Sequence, residues 1–254
     1  MTNSAPLIIG ATGGSGTRIV ARLARHAGYD LGRHLNASED ALEFYSFHDR
    51  WINRFVGSEN RHVALPASEA ERMRQEFQQA LERHLSGSTA ESASWGWKAP
   101  RSVYLLPFLH AQFSKLKFIH VLRDGRDMAF SKNQNQLRKH GRAVLNWRER
   151  WFYPAPVRSL LLWERVNLAA AEYGEAQLGE NYHRVRFEDL CQAPIETTKQ
   201  IMKFLEADAD AESVALSEIS PPASIGRWRG HPAPLLSKME SAVAMSLRKF
   251  GYLK

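Results

Sequence analysis

The chain has 254 residues, a net charge of +7 and one cysteine, Cys191, and its isoelectric point is near 9.6. The length suits one α/β domain with a sizeable core, or at most two small ones, and a lone cysteine excludes an intrachain disulfide and a cysteine-based zinc site. The positive excess suits an anionic ligand, a nucleic acid or an anionic membrane surface; acids interspersed among the bases argue against a nucleic-acid tail, and the lack of a signal-peptide core or a run of about 18 apolar residues leads us to expect a soluble, cytoplasmic chain with no integral membrane segment.

In chain order, Leu7-Ile8-Ile9 is an apolar run suited to a strand buried on both faces. Glycines follow at positions 10, 13, 14 and 16. Glycine permits positive φ and lets backbone N–H groups approach a ligand closely. Thr17 to Ala27 then reads as a helix with Ile19, Val20, Leu23 and Ala27 on one face. A strand, a glycine-rich turn and a helix N-terminus together favour a phosphate, because free N–H groups and the helix dipole attract negative charge. The plainer reading is a β–α turn with no ligand, although four glycines are more than such a turn needs.

Gly28 to Leu31 reads as a second short strand. Residues 36–53 mix acids with aromatics. Ser68 and Glu71 have the spacing of a capping box for a helix ending near Leu85, with Gly87 beyond it. Residues 86–94 are small and polar, hence a loop. Lys117 to Leu122 reads as a strand that runs into Arg123, followed by a helix through Ser131. His183 to Phe187 is a further strand, and Pro194 to Leu205 an amphipathic helix with proline in its first turn. Strands alternating with helices predict a parallel sheet in a three-layer α/β/α fold, with its ligand at the carboxyl ends of the strands.

Three phosphate readings compete. Gly10, Gly13 and Gly16 fit the spacing of an NAD(P)-binding dinucleotide fold, of the extended short-chain reductase type. However, none of the seven tyrosines has a lysine four residues on, and no second strand ends in a ribose-binding acid. A nucleoside triphosphatase needs a lysine directly after the last loop glycine. Here Thr17 and Arg18 follow Gly16, and Lys98 is the first lysine of the chain. The third reading uses Arg123 at a strand end and Ser131 eight residues on. Together they place a guanidinium and a hydroxyl at one cleft edge, suited to a second, separate phosphate.

A ligand with a 5′-linked phosphate and a separate 3′-phosphate is 3′-phosphoadenosine 5′-phosphosulfate (PAPS). On these residues the chain resembles the PAPS-dependent sulfotransferases, particularly the bacterial and carbohydrate types with a fold like that of P-loop NTPases. Gly13-Gly14-Ser15-Gly16-Thr17-Arg18 resembles the 5′-phosphosulfate loop of that family, and residues 118–131 its 3′-phosphate segment. Residues 185–190, then Pro194, resemble the strand and helix that follow. Ser224 to Gly230 resembles the late loop that closes over the nucleotide, with Arg227, Trp228 and Arg229 as candidate contacts. The match covers about 220 residues and implies one sulfotransferase domain over 1–254.

One position departs from the family. Cytosolic members have a lysine in the first loop where this chain has Gly14. Trp97-Lys98-Ala99-Pro100 resembles the lysine–proline pattern of carbohydrate-type members, so the resemblance implies that Lys98 supplies charge near the sulfuryl group; its other reading is a solvated loop lysine. The resemblance also implies in-line transfer to a hydroxyl or amine acceptor, with 3′-phosphoadenosine 5′-phosphate leaving, and a general base. Asp40 is the nearest counterpart of the base, with Glu39, Glu43, His48 and Asp49 open. The plainer reading of this stretch is an acidic helix start with Ser38 as N-cap. Trp147, Trp151, Phe152 and Trp163 read as core or acceptor-pocket walls. Arg138 to Arg142, with Arg148 and Arg150, read as a solvated face or a holder of an anionic acceptor. The variable stretches 39–53, 58–66 and 137–156 leave a carbohydrate, a phenol or a lipid-linked acceptor open, and imply no nucleic acid. The ten histidines show no metal-ligand spacing.

Overall fold

The computed structural model describes residues 5–57, 62–86 and 94–253. Among these, four strands form one parallel sheet: β1 Leu7–Ala11, β2 Gly96–Lys98, β3 Lys117–Leu122 and β4 Tyr182–Arg186, in the order β2-β1-β3-β4. β1 and β3 are the central pair and nearly every residue in them is buried, as continuous apolar runs require. His120 is the fully buried polar residue of β3. It accommodates burial by pairing Nε2 with Asn167 Oδ1 at 2.9 Å and Nδ1 with Tyr182 Oη at 2.6 Å; desolvation holds its pKa down at about 4.

The helices are α1 Thr17–His26, α2 Tyr45–Phe55, α3 Ala67–Ser86, α4 Leu106–Gln112, α5 Gly125–Ala129, α6 Asn135–Val144, α7 Trp147–Phe152, α8 Ala155–Tyr173, α9 Phe187–Gln192, α10 Pro194–Leu205, α11 Ala211–Glu218, α12 Ala233–Ala242 and α13 Ala244–Lys249. Strand alternation sorts them into layers. Leu7, Ile9, Ile119 and Val121 face one core with Val20 and Leu23 of α1 and Ile201 and Leu205 of α10. Ile8, Phe118 and Leu122 face the other, with Trp51 of α2, Phe77 of α3 and Leu160 and Trp163 of α8. The result is the expected α/β/α fold with a central parallel sheet.

Several local expectations need correction. Gly28 to Leu31 is not a strand: only Asp30 bridges to Trp95, and the Asp30 carboxylate then accepts from the Gly32 amide at 2.9 Å and turns the chain away. The buried face of α1 runs through Val20, Ala21, Leu23 and Ala24, leaving Ile19 and Ala27 only half-buried. α3 begins at Ala67, so Ser68 lies inside its first turn and Glu71 pairs with Arg74 and Gln75 instead of closing a cap. Ser38 caps no helix, because the chain reaches α2 only at Tyr45, after a 3-10 turn Leu42–Phe44. α5 stops at Ala129, so Ser131 is not helical. Phe187 opens α9 and is not part of β4. Gly87, most of the predicted 86–94 loop and the start of the 58–66 stretch lie outside the described residues.

Candidate active site

A cavity of about 500 Å³ opens at the carboxyl ends of β1, β2 and β3. Its first wall is the loop after β1. Ser15 Oγ donates to Thr12 O at 2.6 Å and ties the turn together. Gly14 and Gly16 hold φ of +82° and +81°. Gly16 is the N-cap of α1, with no side-chain cap and no acid in the first turn. The α1 N-terminus therefore keeps unsatisfied N–H groups and its positive dipole end toward the cavity. Gly13 to Arg18 all line it.

The two left-handed glycines differ in their surroundings. A Cβ on Gly16 would sit 2.2 Å from the Phe187 ring, whereas one on Gly14 meets nothing within 4 Å. We expect Gly16→Ala to lower Tm clearly and to abolish anion binding at the loop. Gly14→Ala should cost only the strain of a left-handed alanine, about 1 kcal/mol. Melting curves of the two variants check this, and equal losses would contradict it.

The second wall is Arg123, the residue after β3. Its guanidinium donates to Gly14 O at 3.2 Å, to Ser224 O at 2.9 Å and to Ser224 Oγ at 3.0 Å. Asp127 lies 3.6 Å away, and the Phe187 ring centre 5.0 Å from the guanidinium carbon. Arg123 Nε is buried with no partner among the described residues. The side chain thus joins the glycine loop to the late loop and keeps one buried donor in reserve.

The third wall is Lys98, the last residue of β2. It is 1% exposed, not a solvated loop lysine. Its ammonium pairs with Asp40 and donates to Ser38 O. The Asp40 carboxylate also accepts from the Tyr45 hydroxyl at 2.8 Å and from Asn36 Nδ2 at 3.3 Å. Burial pushes the Lys98 pKa down and Asp40 opposes that shift; burial and then the Asp40 hydrogen bond push the Tyr45 hydroxyl up. The result is a Lys–Asp–Tyr network at the cavity wall.

The other base candidates are placed differently. Glu39 is held by Arg22 at 2.9 Å and by Arg25. Glu43 lies between His34 and His84, at 3.6 and 3.4 Å. Asp49 is held by Arg101 and by Lys139 at 2.7 Å. None of these three lines the cavity. His48 does; burial holds its pKa well below the usual range and so keeps it neutral, with Nδ1 unpartnered among the described residues.

Four predicted contacts are not among the lining residues: Ser131, Arg227, Trp228 and Arg229. The Ser131 hydroxyl instead accepts from the Asn133 amide at 3.2 Å. Arg227 turns back to Ser224 O at 3.2 Å. Trp228 is flanked by the guanidinium groups of Arg126 and Arg229, at 3.9 and 4.9 Å from its ring centre. Trp228 and Arg229 line a second cavity of about 250 Å³. The late loop meets the first cavity through Ser220, Pro222 and Ser224, and Asp127 fixes it by accepting from the Gly226 amide at 2.8 Å. Of the segment 224–230 singled out from sequence, Ser224 lines this cavity and Arg227, Trp228 and Arg229 do not. Sequence reasoning also missed Tyr45, Gln136 and Phe187, all lining residues without a local signal.

Comparison with solved structures returns sulfotransferases. The enzyme from Alicyclobacillus acidocaldarius aligns at TM-score 0.57 and 16% identity, over 96% of this chain and 93% of that one. The sulfotransferase domain of the Synechococcus PCC 7002 olefin synthase aligns at 0.57 and 16%, over 98% and 95%. The sulfotransferase domain of the curacin biosynthetic pathway aligns at 0.58 and 14%, over the full length of both. At such identities these likenesses speak for the fold alone. Among curated proteins nothing matches. A sequence model described as the sulfotransferase family matches residues 6–211. By that match over most of its length, on a fold shared with solved sulfotransferases, the chain belongs to the sulfotransferase family.

Proposed function

We propose that the chain, as one domain over residues 1–254, transfers a sulfuryl group from 3′-phosphoadenosine 5′-phosphosulfate to a hydroxyl or amine acceptor. The observation that carries this is the meeting of three strand ends in one cavity. β1 brings an uncapped helix N-terminus, β3 the Arg123 fork and β2 the buried Lys98. Two separate anion sites on adjacent strands suit a nucleotide with phosphates at both 5′ and 3′ positions. The unpartnered Nε of Arg123 is the kind of donor a bound 3′-phosphate would satisfy.

When bound, the donor supplies an activated sulfuryl group on a phosphate leaving group. The loop amides of Gly13 to Thr17, with the Thr17 hydroxyl and Arg18, hold the 5′-phosphate end and stabilise charge growing there. Lys98 has three N–H donors; two go to Asp40 and Ser38, which leaves one for the sulfuryl oxygens. Asp40 takes the acceptor proton, and Tyr45 and Asn36 orient its carboxylate. Ser224 faces the 3′-phosphate beside Arg123, the place expected of Ser131. The dinucleotide reading gains no support, since no second strand follows α1 directly.

A thermal titration tests the donor. At about 100 times its Kd a ligand adds roughly 2.7 kcal/mol, or a Tm rise of about 5–10 °C at this size. 3′-Phosphoadenosine 5′-phosphate should give that rise, and ATP, 5′-AMP and NADPH much less. Stabilisation by NADPH and not by the bisphosphate would overturn the proposal.

A further inference from the structure

α7 carries an uncovered aromatic face. Trp147, Trp151 and Phe152 are 56%, 80% and 71% exposed, and Tyr153 beside them is also exposed. They are neither core nor cavity wall, contrary to the sequence expectation, which holds only for Trp163. The Trp147 and Phe152 rings lie edge to face at 6.3 Å, so the aromatics form a patch and not isolated exposures.

The charge along this segment is one-sided, although Lys139 within it pairs with Asp49 of α2. Residues 128–163 contain seven lysines and arginines and one acid, Glu149. That acid is neutralised by Arg165 at 2.5 Å. The bases are therefore less evenly interspersed than the whole-chain reading suggests, and most of the net charge of +7 resides here. Arg138, Lys139, Arg142 and Arg148 are exposed. Arg148 lies over Trp147 at 5.3 Å, and Lys238 of α12 over Tyr153 at 5.6 Å.

We propose that this face docks on an anionic lipid bilayer, with Trp151 and Phe152 entering the interface and the surrounding arginines and lysines meeting the headgroups. Aromatic rings mixed with bases suit that boundary, where rings sit at headgroup depth and each base gains from the negative surface potential. The mode is surface docking: among the described residues no helix is long and apolar enough to cross a membrane. α6 lines the active-site cavity with Gln136 and Lys139 and continues through residues 145–146 into α7. A docked molecule would thus present the α6 side of its cavity near the lipid, which gives a lipid-linked acceptor a route; that extension alone rests on the sulfotransfer reading, and the docking does not.

Vesicle flotation of the full chain tests it without measuring turnover. Vesicles of phosphatidylcholine alone are compared with vesicles containing about 30% phosphatidylglycerol, at about 50 and 500 mM salt. The wild type should float with the anionic vesicles at low salt and much less at high salt or with phosphatidylcholine alone. Trp151→Ser/Phe152→Ser should lose at least about tenfold in bound fraction, as should Arg142→Glu/Arg148→Glu. All four side chains are exposed, so both variants should keep the wild-type Tm, measured alongside. Failure of the wild type to float, or unchanged flotation of the aromatic variant, overturns the proposal. So does light scattering that shows a wild-type dimer made monomeric by the aromatic substitutions, which would assign the face to self-association.

Discussion

Replacing Arg123 by alanine should weaken 3′-phosphoadenosine 5′-phosphate binding by about two to three orders of magnitude and leave 5′-AMP binding far less changed. The guanidinium is buried, already fixed by Gly14 and Ser224, and has a spare donor at Nε. Charge-assisted bonds to a dianionic phosphate from such a preorganised fork are strong, and truncation costs several kcal/mol. Arg123→Lys keeps the charge and loses the planar fork, so it should recover only part of the loss. The ratio of the two affinities decides the matter. A ligand-selective loss means that Arg123 reads the 3′-phosphate. An equal loss for both ligands means that it only ties the two loops together, and the assignment fails. Calorimetric titration of each variant against both nucleotides supplies the ratio.

The second large effect concerns Lys98 and Asp40. Lys98→Met should lower kcat about 10²- to 10³-fold, the usual cost of one electrostatic donor at the reacting group. Asp40→Asn should lower it about 10²- to 10⁴-fold. Each change also strands a buried charge, and breaking such a pair costs about 3 kcal/mol of stability. The double variant Lys98→Met/Asp40→Asn separates the two roles. It leaves no lone charge, so stability should largely return, while turnover stays at the floor of the worse single variant. If turnover returned with stability, the pair would be a structural ion pair only, and neither residue would belong to the chemistry.

The first wall of the cavity was readable from sequence because its signals are local. An apolar run, four glycines and an amphipathic helix lie within twenty residues, and that unit folds as β1, loop and α1 as read. The same holds for β3 running into Arg123, and for α10 with its early proline. Parallel pairing followed from strands alternating with helices.

Other features were decided by contacts distant in sequence. β2 has three residues, too few for any periodicity; it is a strand because its backbone pairs with Leu7 to Ile9. Only that pairing buries Lys98 and brings it to Asp40, 58 positions away. Ser224 reaches Arg123 across 101 positions, and the motif around it could not show which end lines the cavity. Hydrophobicity placed Trp147, Trp151 and Phe152 inside, but burial depends on which element packs against a face, and nothing among the described residues covers this one. The sequence by itself determined the sheet class, the glycine-rich loop before α1 and the arginine after β3, since each is written in neighbouring residues. Tertiary structure alone decided the Lys98–Asp40 pair, the Ser224 contact and the bare aromatic face, since each depends on chain segments brought together only by folding.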